Sequence, residues 1–98
     1  MTKVIIIGAG GHAAEIDEYI KYCREKAGNK TLNVVGFLDD NPEGYSRYKF
    51  SAPFLGGIKD HSVIAEYKYI IGIANTEYRY LLVNQLLSRG ASFVSFIH

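Results

Sequence analysis

The chain has 98 residues, 48% of them hydrophobic and 21% charged, and a formal net charge of +1. This describes one ordinary domain, with no basic footprint for nucleic acid and no run near the roughly 20 apolar residues that span a bilayer. The apolar start is too short for a signal peptide, and the single Cys23 can form no internal disulfide, which fits a reducing, cytoplasmic setting.

The first element is the strand Val4-Ile-Ile-Ile7, four consecutive apolar residues that read as buried on both faces. It runs into the spacing Gly8-x-Gly10-x-x-Ala13. In a βαβ unit Gly8 allows the tight turn off the strand, Gly10 lets backbone approach a phosphate, and Ala13 lets the helix pack closely on the sheet. A helix follows over 11–27, with Ala13, Ile16, Ile20, Cys23 and Ala27 as its buried stripe and Glu15, Asp17 and Glu18 among its outward residues. Gly28-Asn29 is its stop signal. Residues 33–38 form the second strand, ended by the turn Asp39-Asp-Asn-Pro42.

Residues 43–59 give no strong pattern beyond a short strand near Phe54-Leu55. Asp60 is placed to cap a short helix through Glu66. The segment 67–73 is a central strand, and Ala74-Asn75-Thr76 leads into a helix with apolar positions at Tyr80, Leu82 or Val83, Leu86 and Leu87, stopped by Gly90. A last strand is expected over 93–97. Because the chain ends on this apolar run, it is expected to be part of something longer. Alternating strands and helices with short connections predict an α/β fold, a small Rossmann-like domain with a mostly parallel sheet flanked by helices.

Helix N–H groups following Gly8, Ala9 and Gly10 have no intrahelical partners and favour an anion, which points to a nucleotide. Asp39 and Asp40 stand at the end of the second strand, where an acid accepts hydrogen bonds from a ribose or a base; they also fit a plain solvated turn. His12, in the first helical turn after Gly11, can donate to a phosphate or a sugar, or stand exposed and inert. Asn75 faces the same crevice or caps the next helix. The eight tyrosines read mostly as packing residues, and His61 and His98 lack partners for a metal site. No Ser/His/Asp, Cys/His, zinc or paired-acid pattern stands out, so no catalytic residue is assigned. The sequence supports binding more than chemistry.

Taken in order, Ile6-Ile-Gly-Ala-Gly-Gly-His-Ala13, Val35-Gly-Phe-Leu-Asp-Asp-Asn-Pro42, Gly56-Gly57, Ile71-Gly-Ile-Ala-Asn75 with Arg79, and Phe93-Val-Ser-Phe-Ile-His98 resemble a known pattern. It is that of the N-terminal, PglD-like domain of bacterial sugar O-/N-acetyltransferases of the sialic-acid O-acetyltransferase (NeuD) type, hexapeptide-repeat acyltransferases. The resemblance implies a nucleotide-sugar-binding domain whose partner is a UDP-sugar, with Gly8 to His12 along the diphosphate and sugar, Asp39 and Asp40 at the uridine, and Asn75 nearby. It implies a left-handed β-helix after His98 that forms trimers, binds acetyl-CoA and supplies the catalytic histidine, which is not His98. Without that domain the chain is expected to bind without acetylating, to hold no cofactor and to be monomeric or weakly dimeric, with no nucleic-acid or membrane partner. An NAD(P)-type domain of an oxidoreductase and a regulatory Rossmann-like module remain alternatives, although no second mononucleotide-binding half is visible for NAD.

Overall fold

The computed structural model describes residues 2–94. Its elements run β1 (Thr2–Ile7), α1 (Gly11–Glu25), β2 (Leu32–Leu38), α2 (Glu43–Arg47), β3 (Phe54–Gly56), β4 (Lys68–Ile71) and α3 (Thr76–Ser88). The four strands form one parallel sheet in the order β3-β2-β1-β4. The α/β, Rossmann-like expectation therefore holds.

Side chains alternate across a strand, and β1 uses both faces. Val4 and Ile6 join Ala13, Ile16 and Ile20 of α1, together with Phe37 and Ile70. Ile5 and Ile7 join Leu82 and Leu86 of α3, together with Leu38, Tyr69 and Ile71. All four β1 residues are fully buried, so this strand is the shared wall of two cores. An unbroken apolar run is the pattern that such a position requires.

Several expectations need correction. Asp17 is not on the outer face of α1: it is buried, and its carboxylate accepts from both the backbone N–H and the hydroxyl of Ser51. A buried carboxylate needs such donors, and these tie α1 to the segment before β3. Cys23 is only half-buried, and Ala27 is exposed because α1 ends at Glu25, two residues earlier than its apolar spacing suggested. On α3 only Leu82 and Leu86 are buried, whereas Tyr80 is 74% and Leu87 51% exposed. The tyrosines divide: Tyr45 and Tyr48 pack on Phe50, Tyr67 packs against the core and Tyr69 is fully buried, while Tyr19, Tyr22, Tyr78 and Tyr80 are exposed.

No helix forms over 60–66. In a helix the Ile64 N–H would bond to the carbonyl of residue 60, but the Tyr69 hydroxyl captures it at 3.0 Å. The central strand is shorter than expected, Lys68–Ile71, because Tyr67 is held in a turn by its N–H to the Ile64 carbonyl. Phe93 pairs with Tyr69 in a single parallel bridge, the Val94 N–H donates to the Tyr69 carbonyl at 3.0 Å, and residues 95–97 of the expected last strand, with His98, lie outside the described residues. A five-residue helix, α2, occupies part of the 43–59 segment, which carries no strong sequence pattern. Among the described residues no helix is long and apolar enough to cross a membrane.

Because β1 faces two cores, Ile6→Ala is expected to cost about 2–5 kcal/mol in chemical denaturation. Leu87→Ala, at an exposed position, should change stability by no more than about 0.5 kcal/mol. A second expectation concerns pH. The Tyr69 hydroxyl accepts from the Ile64 N–H and shares a hydrogen bond with His61 Nε2, 2.7 Å away, whose direction follows the tautomer of the ring. Burial, and then the charge of Arg89, push His61 below its ordinary 6.5. The unfolded chain therefore takes up this proton first, and stability present above 6.5 is lost as the pH falls through that value. Denaturation midpoints between pH 7.5 and 5.5 should show the decline, and His61→Gln should flatten it.

Candidate functional site

Chain direction reverses at β1. From there the chain goes to β2 and β3 on one side and reaches β4 on the other, which makes the space between the ends of β1 and β4 a topological switch point. In open parallel sheets this is where ligands bind. A cleft of about 340 Å³ opens there.

Its floor is the glycine loop. Gly8 leaves β1 with a φ of +114°, and a Cβ on it would lie 2.8 Å from the carbonyl oxygen of Gly72. Gly72 in turn has no room for a side chain, since its Cβ would stand 2.8 Å from Ile6 and 3.0 Å from the Ala13 methyl. The bare backbones let the end of β4, the end of β1 and the first turn of α1 meet, with the Gly72 N–H donating to the Ile7 carbonyl at 2.7 Å. Ala13 is fully buried at this contact.

α1 begins without a side-chain cap. Gly10 is its N-cap in extended conformation, and the first helical bond is the Ala14 N–H to the Gly10 carbonyl. The preceding helical N–H groups are left for a ligand or water. A Cβ on Gly10 would meet nothing within 4 Å, so the space above it is open.

Of the residues singled out from sequence, Gly8, Gly10, Gly11, His12 and Asp39 line the cleft together. Ala9 lies beneath it, fully buried, its N–H donating to Asp39 Oδ2 at 2.9 Å. The other Asp39 oxygen accepts from the Asn41 N–H at 2.9 Å, so this carboxylate both shapes the glycine loop and starts the turn after β2. Asp40 is not among the lining residues. Its Oδ1 accepts from the Ile58 and Lys59 N–H groups, and Gly57 has no Cβ to obstruct it. Asn75 also stands back: its side chain caps α3 by accepting from the Tyr78 N–H at 2.8 Å.

The opposite wall consists of Gly72, Ile73, Ala74 and Tyr78. The rule that marked the end of β2 applies equally to the end of β4 and could have found the first three. Tyr78, three residues beyond the cap, carried no such signal. Burial, then the charges of Asp40 and Asp39, push its phenol above the ordinary value of 10.0, which keeps it a protonated donor.

A lid of aromatic residues supports the loop from outside. Gly44 of α2 approaches so closely that a Cβ there would lie 2.6 Å from the Ala9 carbonyl oxygen. Behind it Tyr45 stacks on Phe50 at 5.1 Å, Phe50 packs on Phe37 at 4.5 Å, and the Tyr45 hydroxyl donates to the Ala52 carbonyl at 2.7 Å.

Over residues 3–86 the sequence that builds this sheet, glycine loop and strand-end acid matches the family model of the PglD N-terminal domain. The chain belongs to that family. No curated protein matches the chain. The PglD N-terminal domain implies the nucleotide-sugar-binding part of an acetyltransferase. Among the described residues no group of three His, Cys, Asp or Glu side chains is placed to hold a metal ion.

The two glycines at the loop's ends should respond differently to a methyl group. Gly8→Ala puts a Cβ against the Gly72 backbone at positive φ and is expected to cost at least about 2 kcal/mol. Gly10→Ala, with φ −103° and open space, should stay within about 0.5 kcal/mol. Thermal or urea unfolding of the two variants checks this.

Proposed function

We propose that the switch-point cleft binds a UDP-sugar and that this domain is the acceptor-holding half of an acetyl-CoA-dependent sugar acetyltransferase. The observation that carries the reading is the uncapped start of α1 opening onto the cleft across bare glycine backbone. Free N–H groups with the positive end of a helix dipole suit a diphosphate, and family membership supports a nucleotide sugar as its carrier.

The residues then divide by what they touch. The backbone from Gly8 to His12 meets the diphosphate, and the His12 ring donates to a phosphate or to the sugar beyond it. Asp39 keeps lone pairs after accepting from Ala9 and Asn41, and these take ribose or base donors. Asp40 and Asn75 act from outside the cleft, the first fixing the loop before Lys59, the second fixing the start of α3. Acetyl transfer, acetyl-CoA binding and trimer formation belong in this reading to a β-helix domain that follows these residues in the whole protein. The lone Cys23 fits a cytoplasmic location.

Titration calorimetry with UDP and UDP-N-acetylglucosamine is expected to show binding. Gly10→Val should abolish it while circular dichroism stays that of the wild type, because the added side chain enters open space rather than the core. A folded Gly10→Val variant that binds UDP as the wild type does would sink the reading.

A further inference from the structure

Only a few side chains reach into the cleft, and their chemistry is uneven. Asp39 brings a carboxylate, which only accepts; Ile73 brings no polar group; His12 stands at the start of α1, on the phosphate side. Tyr78 brings the remaining hydroxyl. It is 39% exposed, and its hydroxyl has no hydrogen-bond partner among the described residues. On α3 it lies on the stripe of Leu82 and Leu86, one turn before the first of them, yet unlike those two it stays exposed at the cleft.

An acceptor and an unsatisfied donor that line one small cleft match a group that both donates and accepts. A sugar hydroxyl does this, and a vicinal pair of hydroxyls does it twice. We propose that Tyr78 and Asp39 together hold the ribose diol of the nucleotide, Asp39 accepting a hydroxyl proton and the Tyr78 phenol donating to a hydroxyl oxygen. This rests on the nucleotide reading above and deepens it by assigning Tyr78 to the ribose.

The same geometry gives Asn75 a role without contact. Its side chain holds the backbone N–H of Tyr78 itself, so the cap that starts α3 also fixes where the phenol stands. Asn75 is a positioning residue acting through Tyr78. The burial and neighbouring carboxylates that keep the phenol protonated agree with a donor's part.

The test compares affinities for UDP and for 2′,3′-dideoxy-UDP, which lacks the diol. Wild type is expected to prefer UDP, and Tyr78→Phe to shrink that preference about tenfold, the scale of one hydrogen bond. The unfolding midpoint of Tyr78→Phe should not move, since the phenol hydroxyl has no hydrogen-bond partner among the described residues. Asn75→Ala is expected to shrink the preference as well, Asn75→Asp to restore it because aspartate caps equally well, and Asn75→Ala to add nothing in the Tyr78→Phe background. A preference unchanged in Tyr78→Phe overturns the assignment while leaving UDP binding intact. Equal affinity of the wild type for the two nucleotides overturns it too. Failure of the wild type to bind UDP at all overturns the nucleotide reading, and the ribose assignment with it.

Discussion

Backbone meets backbone where Gly8, Gly72 and the first turn of α1 converge, and the rest of the site follows from that close approach. With a Cβ at either glycine, β1 and β4 could not end side by side under the helix. The sheet would lose the narrow gap at its switch point, and the α1 N–H groups would no longer face a floor of peptide. The contact has little hydrophobic area of its own. It is held by the cores on either side of β1, which press α1 and α3 onto opposite faces of one strand.

Asp39 shows how economically the loop is fixed. One carboxylate joins the glycine loop after β1 to the turn after β2, and the Asp39 N–H reaches the carbonyl of Gly56, the last residue of β3. Three strand ends are thereby set relative to one another around a residue that still has acceptor capacity to offer. Gly44 of α2 closes on the same loop from the outside, so its peptides are confined from two directions. A loop confined in this way meets an anion with little ordering left to do.

The sequence made the β1–glycine–α1 unit readable because its determinants are local: an apolar run, a spacing and a helical stripe within a few turns. Both glycine stops proved sound for the same reason, with α1 ending just before Gly28 and α3 just before Gly90. Asp17 was misplaced because helical position predicts exposure only when nothing distant supplies donors, and Ser51 supplies two. The helix expected after Asp60 failed to a side chain, Tyr69, whose hydroxyl takes the N–H that the helix needed. Tyr78 was invisible since its place in one cleft with Asp39 depends on β4 lying next to β1, which is a property of strand order. Within the site, local rules found the anion-facing half and missed the wall contributed by β4 and α3.

Strand order has a further consequence for how the cleft comes into being. β1 pairs with β2 through a compact βαβ unit, but its other neighbour arrives from much farther along the chain, Ile6 lying beside Ile70. Contacts that close long loops tend to form late. The glycine loop and α1 can therefore exist before the cleft does, and the opposing wall is added only when β4 docks on the far edge of β1. A ligand that needs both walls recognises the completed chain alone, and its binding energy goes entirely to the native state.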